Sequence, residues 1–372
     1  MSSDLRTTLI TMHKISRVLA IVFAAGISYL QPSSACTGIS LTAKDGSKII
    51  ARTMEWGGFK MESHLVLVPR GHKQVAITPT GKDGMILKAK YGYTGIGVLK
   101  DNFMAEGINE KGLIGELFYF PGYGECEEYN PANKSTSITD AQFLDWVLGS
   151  FATVEEMIEA LDDIHFVGFG QGFESTHYSI GDATGRHIVL EYYDGKFHVH
   201  ENKIGVITNS PSYDWHMTNL NNYVNVFAGA AKPQEIAPGI TLNSIGMGSA
   251  GHGLPGDLTP PSRFVRAAFY VTTARPQNTG VESVMQTFQI LNNFDLPLGA
   301  EFPKGEKMPD MLSGTQWTTS TDLKAMKFYY KTEWNSSIRC IDLNEIDFAK
   351  ANYQLLPIDK VEKQPVEYVR FK

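Results

Sequence analysis

The stretch that decides the fold runs from residue 36 to residue 54 and reads CTGISLTAKDGSKIIARTM. Residues 36–41 alternate around small side chains, and residues 48–54 form a second strand-like run. Asp45-Gly46 lies between them and is a strong signal for a tight hairpin turn. The pattern therefore predicts an antiparallel hairpin that places Arg52 near Cys36 on the adjacent strand.

The segment before this hairpin has the pattern of an export signal. Three basic residues precede an apolar and small-residue run over 18–27, and Ser33 and Ala35 are the small residues that cleavage requires. The run is too short to cross a bilayer as a stable helix. We therefore expect residues 1–35 to be a signal peptide, and Cys36 to become the first residue of a periplasmic or extracellular protein. A lipoprotein signal would also free Cys36, but that pathway usually has a leucine-like residue where Ser33 stands.

The composition indicates a mildly acidic globular protein. The chain has 372 residues, of which 42% are hydrophobic, and without residues 1–35 it keeps 337 residues with a net charge of −9. That charge argues against a nucleic-acid partner, which would require a basic face. Residues 36–372 contain no repeat, no low-complexity stretch and no apolar run of membrane length, so we predict one domain without a membrane span.

The cysteines and histidines do not form a metal-binding pattern. Cys126 and Cys340 either pair in an oxidising compartment or stay unpaired, and the sequence leaves both alternatives open. His198 and His200 would share one face of a strand, which is more often an exposed face than a metal site. We therefore predict no metal.

Strand-like and helix-like segments alternate in blocks along the chain. Further strands are predicted over residues 64–68, 89–93, 112–120, 177–180, 187–193, 196–200, 327–332 and 339–343. Helices are predicted over residues 136–148, 213–224, 262–273 and 281–292, and one more begins at a capping Thr153. Antiparallel strands separated by pairs of helices predict an α+β fold in which helices cover sheets, and we favour a four-layer αββα sandwich.

A cysteine at the start of a mature chain supplies a nucleophile and a base on one residue. The thiol attacks, and the freed α-amino group, with a pKa of roughly 7.7–8.0, can carry the proton near working pH. A thiolate also needs a nearby cation, and Arg52 is the best candidate. Glu55 could hold the new α-amino group. Without Cys36 in this setting, Arg52 and Glu55 would be interpreted as solvated strand residues.

Two later segments carry candidates for stabilising an oxyanion. Asn209 ends a strand-like run, and Pro211 forces extended geometry on Ser210, so the Asn209 amide could point inward. The alternative is a turn-forming Asn, which is the commoner role. Arg263 begins a predicted helix and could reach the same site, or be exposed on the helix.

These motifs resemble those of the choloylglycine hydrolase family, which includes bile salt hydrolases and penicillin V acylases. The resemblance covers residues 36–350 and rests on the order and spacing of its motifs. They are Cys36-Thr-Gly, Arg52-Thr-Met-Glu-Trp56, Asn109-Glu-Lys-Gly-Leu113, Thr208-Asn-Ser-Pro211 with Tyr213-Asp-Trp215, and Gly253-Leu-Pro-Gly-Asp257 with Ser262-Arg-Phe-Val-Arg266. The family fold is the αββα sandwich of the N-terminal nucleophile hydrolases, in agreement with the strand pattern.

The resemblance implies an enzyme that cleaves linear amide C–N bonds through a thioester, without a metal or organic cofactor. The implied active-site residues are Cys36 as nucleophile, Arg52 beside its thiolate, Asn209 and the Tyr119 backbone N–H at the oxyanion, and Arg263 as the family's second arginine. It also suggests a homotetramer.

One departure from the family pattern is Glu55, where the family usually has Asp. The extra methylene moves the carboxylate by about one C–C bond, and a misplacement of about 1 Å can cost on the order of 10²-fold in rate. Either the backbone compensates or activity is reduced. A catalytically silent binding protein of the same fold, exported or lipid-anchored, is therefore the alternative, which the intact cysteine and arginines oppose.

The sequence leaves the substrate open within one chemical class, the small N-acyl amides. Bile-salt-specific members often carry Asn at the position of Tyr119, whereas penicillin V acylases tend to have Tyr. Trp56, Phe59, Met61 and Phe120 line an apolar acyl pocket or belong to the core, with the sequence favouring neither. Such a pocket would fit the phenoxyacetyl group of penicillin V, the steroid of a conjugated bile salt, or the fatty-acyl chain of an N-acyl homoserine lactone.

Overall fold

The computed structural model describes residues 35–57, 61–99, 103–168, 175–301, 304–305 and 314–371. Every described residue belongs to one compact unit, Ser34–Lys372. Almost all of the predicted signal peptide, residues 1–34, lies outside the described residues. In the part of the chain that is described, no helix combines the length and the hydrophobicity that crossing a bilayer requires.

The strands and helices have the following bounds. The strands are β1 (Cys36–Thr42), β2 (Lys48–Trp56), β3 (His64–Val68), β4 (Lys73–Val75), β5 (Ile86–Lys88), β6 (Tyr93–Val98), β7 (Phe103–Asn109), β8 (Ile114–Tyr119), β9 (Ser137–Thr139), β10 (His165–Val167), β11 (Thr176–Gly181), β12 (His187–Tyr193), β13 (Lys196–Glu201), β14 (Val206–Ile207), β15 (Gln234–Ala237), β16 (Ile240–Leu242), β17 (Gly314–Asp322), β18 (Lys327–Thr332), β19 (Asn335–Asp342) and β20 (Gln354–Pro357). The helices are α1 (Phe143–Ser150), α2 (Val154–Glu159), α3 (Tyr213–Asn219), α4 (Pro260–Thr273) and α5 (Gly280–Leu291).

Two antiparallel sheets form the centre of the molecule. The first, called here the Cys36 sheet, has the strand order β14-β1-β2-β17-β18-β19. The second, called here the Tyr119 sheet, has the order β13-β12-β11-β8-β7-β6-β3-β20. Three short pairs lie outside these sheets: β9 with β10, β4 with β5, and β15 with β16.

The predicted hairpin is confirmed. β1 pairs with β2 so that Cys36 lies opposite Met54, and Gly38 lies opposite Arg52. Gly46 in the turn has a φ of 84°, which a glycine adopts without strain. A Cβ atom at Gly38 would lie 2.6 Å from a methyl carbon of Ile207, so only glycine fits where β1 packs against its neighbours.

Buried apolar side chains between the layers give the αββα order. Residues of both sheets share one core, as Met54 of the Cys36 sheet and Phe118 of the Tyr119 sheet illustrate. Helix α5 packs Val284 and Phe288 on Ile49 of β2, and α4 packs on β1. Helices α1 and α2 cover the opposite face of the Tyr119 sheet. The predicted four-layer sandwich is therefore confirmed.

Several local predictions are wrong. Residues 89–93 do not form one strand, because β5 ends at Lys88 and β6 begins at Tyr93, with a bend between them. The helix predicted over 136–148 begins only at Phe143, because residues 137–139 pair with β10 instead. The helix predicted over 213–224 ends at Asn219 and continues as a 3₁₀ turn. The capping role of Thr153 is confirmed, since its side chain accepts the Glu156 backbone N–H.

Candidate active site

Cys36 begins β1 and is nearly fully buried, with its thiol against Arg52 of β2. Arg52 Nη2 donates to Cys36 Sγ over 2.9 Å, Nε donates to the Thr53 carbonyl over 3.2 Å, and Nη1 donates to the Leu117 carbonyl. The guanidinium also lies 4.4 Å from the centre of the Phe118 ring. Burial raises the pKa of the Cys36 thiol, and the positive charge of Arg52 is the largest effect opposing that rise. Arg52 is thus the group that most favours the thiolate.

Two buried glutamates of the Tyr119 sheet act on the same arginine. Glu106 of β7 and Glu116 of β8 lie directly opposite each other in the ladder. Burial alone would lower the pKa of Arg52, but the negative charges of Cys36, Glu106 and Glu116 raise it. Burial raises the pKa of both glutamates, that of Glu116 to about 8, and Glu106 accepts hydrogen bonds from Trp317 and Thr319. The charged form of Arg52 is therefore favoured by the Cys36 thiolate and by the glutamates of the opposite sheet in their ionised state, which Glu116 reaches only near pH 8.

Glu55 lies at the end of β2 with a buried carboxyl group. Oε1 accepts a hydrogen bond from the Thr315 hydroxyl over 2.9 Å. No described residue donates to Oε2, and the nearby Thr53 hydroxyl lies outside hydrogen-bond geometry. Burial raises the pKa of Glu55 to about 8, and Arg263 is the largest opposing charge. The charge of Glu55 in turn raises the pKa of the Cys36 thiol, which places the carboxyl beside residue 36.

Asn209 and Arg263 meet Cys36 from the other side. Asn209 Oδ1 accepts the Cys36 backbone N–H over 2.8 Å and Arg263 Nη2 over 2.8 Å. Asn209 Nδ2 donates to the Tyr119 carbonyl over 2.8 Å. Arg263 Nη1 donates to the Cys36 carbonyl and, over 2.9 Å, to Thr37 Oγ1. Because two donors fix Oδ1, the NH₂ group of Asn209 must face Tyr119.

These contacts bring all six predicted active-site residues to one place. The chain over residues 36–356 also matches the linear amide C–N hydrolases of the choloylglycine hydrolase family. The chain belongs to the choloylglycine hydrolase family. The predicted family and the predicted enzyme class, a hydrolase of linear amide C–N bonds, are therefore confirmed.

Known bile salt hydrolases and a penicillin V acylase are similar to this chain over most of their length. The chain is 35% identical over 316 residues to the bile salt hydrolase/transferase of Clostridium perfringens, covering 83% of this chain and 93% of that protein. It is 27% identical over 343 residues to the penicillin V acylase of Pectobacterium atrosepticum, covering 86% of this chain and 83% of that protein. A solved structure of a variant conjugated bile acid hydrolase from Clostridium perfringens matches with a TM-score of 0.77 and 31% identity, covering 90% of this chain and all of that one.

The residues predicted to line an acyl pocket are distributed more widely than the six residues around Cys36. The Trp56 ring meets the Tyr119 ring edge to face, with centroids 6.2 Å apart. Met61 lies in the core between the sheets and lines a cavity of about 560 Å³ whose wall includes neither the thiol nor Asn209. Phe120 is fully buried in the core and stacks on His177. Phe59 lies outside the described residues.

The described cysteines and acidic residues show neither a disulfide nor a metal centre. Cys36, Cys126 and Cys340 are all free, with Cys126 half-buried and Cys340 exposed. Within the described ranges, no group of three or more His, Cys, Asp or Glu residues is arranged to hold a metal ion.

Sequence reasoning missed the histidines that hold the Asn209 segment. His177 Nε2 lies 2.8 Å from the Thr208 carbonyl, and His216 Nε2 lies 2.9 Å from the Asn209 carbonyl. A signal for the first was present, because His177 and Glu191 are polar residues within two apolar strands that were both predicted. The observed register of β11 and β12 brings Tyr178 opposite Leu190, which makes His177 and Glu191 cross-strand neighbours.

Proposed function

We propose that this chain is an exported cysteine amidohydrolase whose mature form begins at Cys36 and which cleaves conjugated bile salts or penicillin V. The observation that carries the proposal is the 2.9 Å contact of Arg52 Nη2 with Cys36 Sγ, at the point where Asn209 and Arg263 also converge. A cysteine with a buried cation on its sulfur and amide donors beside it is equipped for acyl transfer.

The reaction begins with attack of the Cys36 thiolate on the amide carbonyl. The Asn209 side chain and the Tyr119 backbone N–H hold the oxyanion; the 2.8 Å bond between Asn209 Nδ2 and the Tyr119 carbonyl supports this pairing. An Asn amide carries two N–H groups, so one can hold Tyr119 while the other serves substrate. The freed α-amino group of Cys36, whose nitrogen donates to Asn209 Oδ1 and which the nearby Glu55 carboxylate stabilises by charge, takes the thiol proton and gives it to the leaving amine. Water activated by the same amine then hydrolyses the thioester.

Bile salts and penicillin V are both supported as substrates. The bile salt hydrolase/transferase and the penicillin V acylase named above are similar along nearly their whole length. The edge-to-face pair of Trp56 and Tyr119 presents aromatic surface next to the oxyanion donors, which suits an apolar acyl group. Tyr119 itself favours the phenoxyacetyl group of penicillin V.

Export and oligomerisation are also part of the proposal. The signal-like residues 1–35 support periplasmic or extracellular localisation. The β15–β16 hairpin exposes Ile236, Ile240 and Leu242, each more than half accessible, which supports burial against further copies in a homotetramer. Sedimentation of the exported protein tests the assembly, and the mass of its N-terminus tests the cleavage site.

The test of the activity is amine release by the protein that begins at Cys36. The panel contains penicillin V, glycine- and taurine-conjugated bile salts, and long-chain N-acyl homoserine lactones, with Cys36→Ser as the control. We expect turnover of penicillin V or of the bile salts that is lost in Cys36→Ser. Equal turnover by the two proteins would contradict the mechanism, and turnover of the lactones alone would contradict the substrate assignment.

A further inference from the structure

A buried histidine–glutamate pair lies directly behind the peptide that carries Asn209. His177 on β11 places Nε2 2.8 Å from the Thr208 carbonyl and Nδ1 3.1 Å from Glu191 Oε1. His177 and Glu191 are both almost completely buried, and the imidazole stacks on Phe120 with centroids 4.3 Å apart. The ring is therefore fixed on its face as well as on both of its edges.

Both ring nitrogens of His177 lie against oxygen atoms. Nε2 faces the Thr208 carbonyl oxygen, and Nδ1 faces Glu191 Oε1, which also accepts the Tyr213 backbone N–H over 2.9 Å. Burial alone would raise the pKa of Glu191, but the hydrogen bond with His177 and the nearby His200 lower that pKa to about 2. The Glu191 carboxylate is thus held in place by the groups that surround it.

A second histidine holds the next carbonyl of this segment. His216 Nε2 donates to the Asn209 carbonyl over 2.9 Å, and burial lowers the pKa of His216 to about 4. No described residue bonds its Nδ1. The carbonyls of residues 208 and 209 are thus each held by one buried imidazole.

A further histidine leads from Glu191 towards solvent. His200 lies with Nε2 3.3 Å from Glu191 Oε2 and Nδ1 3.3 Å from Asp214, whose side chain is 74% exposed. The charged and titratable groups around the pair are thus His200, Asp214, His216 and the Arg263 guanidinium. Asp214 is the surface end of this chain of contacts and supplies a matched control.

We propose that the buried His177–Glu191 pair positions Asn209 for oxyanion binding. His177 is a positioning residue, because it touches the Thr208 carbonyl and reaches substrate only through Asn209; the inference rests on the proposed role of Asn209. Since Asn209 Oδ1 is fixed by Cys36 and Arg263, a shift of the Thr208 peptide rotates the amide and moves Nδ2 away from the oxyanion. A misplacement of about 1 Å can cost on the order of 10²-fold in rate.

The first experiment tests the His177–Glu191 contact without substrate. The mature protein is labelled with ¹⁵N-histidine, and the ring nitrogens are followed by NMR. We expect the His177 ring resonances, assigned by their loss in His177→Gln, to shift in Glu191→Gln and to keep their positions in Asp214→Asn. His177 resonances that Glu191→Gln leaves unchanged would overturn the contact, whatever the substrate proves to be.

The second experiment is a double-mutant cycle on turnover. Glu191→Gln keeps the side-chain shape and removes the charge, and we expect it to lower kcat about tenfold with KM changed less than about twofold. In an Asn209→Ala background the same change should lower kcat less than about twofold, because the positioned group is gone. Asp214→Asn, the control, should leave kcat within about twofold, and Glu191→Asp should restore part of the loss.

Each outcome of this cycle has one meaning. Equal losses in both backgrounds would show that Glu191 acts on stability or on another group, which overturns the proposal. An Asn209→Ala protein with full turnover would overturn the proposed function of Asn209, while the NMR result for the His177–Glu191 contact would stand. If Glu191→Gln does not fold, Glu191→Asp replaces it in both backgrounds. The expected result is then a loss in kcat in the protein that keeps Asn209 and no comparable loss in the Asn209→Ala protein.

Discussion

The two sides of the active site are built differently. On one side, Cys36, Arg52 and Glu55 lie on a single hairpin, and the ladder between β1 and β2 sets their relative positions. On this side the groups are charged or ionisable, burial shifts the pKa of each, and one oxygen of Glu55 lacks a described partner. The hairpin side therefore carries the reactive chemistry.

The opposite side consists of groups that are far apart in the sequence. Tyr119 ends β8, Asn209 follows β14, and Arg263 lies in the first turn of α4. The hydrogen bonds between them fix both ends of the Asn209 amide and the carbonyl of Cys36. The hairpin thus supplies the reactive groups, and the long-range contacts set their geometry. Four substitutions test these contributions one at a time.

The largest effect is expected for Arg52→Gln. Loss of the cation leaves burial to raise the pKa of the Cys36 thiol, and each unit of that rise costs about tenfold in thiolate at a given pH. We expect kcat/KM to fall on the order of 10³-fold, and the pH midpoint of Cys36 alkylation by iodoacetamide to move upward. Arg52→Lys should recover part of both quantities. An unchanged alkylation midpoint would show that Arg52 does not control the thiol.

A smaller effect of a different kind is expected for Asn209→Ala. Loss of one oxyanion donor typically costs about 10²–10³-fold in kcat. The alkylation midpoint of Cys36 should change little, because the two largest charge effects on the thiol, those of Arg52 and Glu55, come from the hairpin side. Turnover and alkylation are measured on the same preparation. A midpoint shift as large as that of Arg52→Gln would remove the distinction between the two sides.

An effect of about tenfold is expected for Glu55→Asp. The ladder between β2 and β17 has a bulge between Thr315 and Trp317, next to Glu55, and the Thr315 hydroxyl bonds Oε1. The Thr315 hydroxyl thus lies within reach of the longer glutamate side chain, and an aspartate at this position would withdraw its carboxylate from that hydroxyl. We expect kcat/KM to fall about tenfold. Thr315→Val, which removes only the hydrogen bond, should lower it less, and a gain in activity for Glu55→Asp would show that the bulge does not compensate.

The smallest effect is on stability rather than on turnover, and it concerns Glu116→Gln. Burial raises the pKa of Glu116 from an ordinary 4.5 to about 8, so between these values the folded state binds the proton and the unfolded state does not. The free energy of unfolding therefore falls as pH rises through this window, by up to about 1.4 kcal/mol per pH unit. Glu116→Gln removes this fall in the free energy of unfolding, because glutamine does not titrate.

Thermal unfolding at two pH values tests that sign. We expect Glu116→Gln to raise Tm by several degrees at pH 8 and to change it little at pH 5. Glu106→Gln is the contrasting variant, because Glu106 accepts hydrogen bonds from Trp317 and Thr319 that glutamine cannot both keep. A Glu116→Gln protein that is less stable at pH 8 than the parent would contradict the assignment of a protonated Glu116.

Residues that are close in sequence were the easiest to predict. The Asp45-Gly46 turn fixes the register of the hairpin, and with it the proximity of Arg52 to Cys36. The central strand β17 was missed, because its Thr and Ser side chains suggest a solvated loop. In the structure Thr319 and Ser320 are buried, and they bond Glu106 and Thr287 across the layers. A polar composition thus conceals a strand when the polar groups are satisfied inside the protein.

In the distant half of the site, local pattern proposed Asn209 and Arg263 only as candidates beside commoner roles, and motif resemblance assigned their roles and that of Tyr119. Nothing near Asn209 in the sequence indicates that Arg263 and the Cys36 backbone will converge on its Oδ1, because those contacts exist only once the sheets have packed. The His177–Glu191 pair behind it was closer to prediction, since both are polar residues on two strands that the sequence did indicate. The register between those strands was the missing information.

The peptide bond between Ala35 and Cys36 has a consequence for biogenesis. Ala35 is only 3% exposed, and its carbonyl accepts the Glu55 backbone N–H over 3.0 Å. An external peptidase needs several residues of extended, accessible backbone, which this bond does not offer once β1 and β2 have paired. Under the proposed cleavage after Ala35, maturation by such a peptidase has to precede folding, and a chain that folds first keeps residue 36 without a free amine.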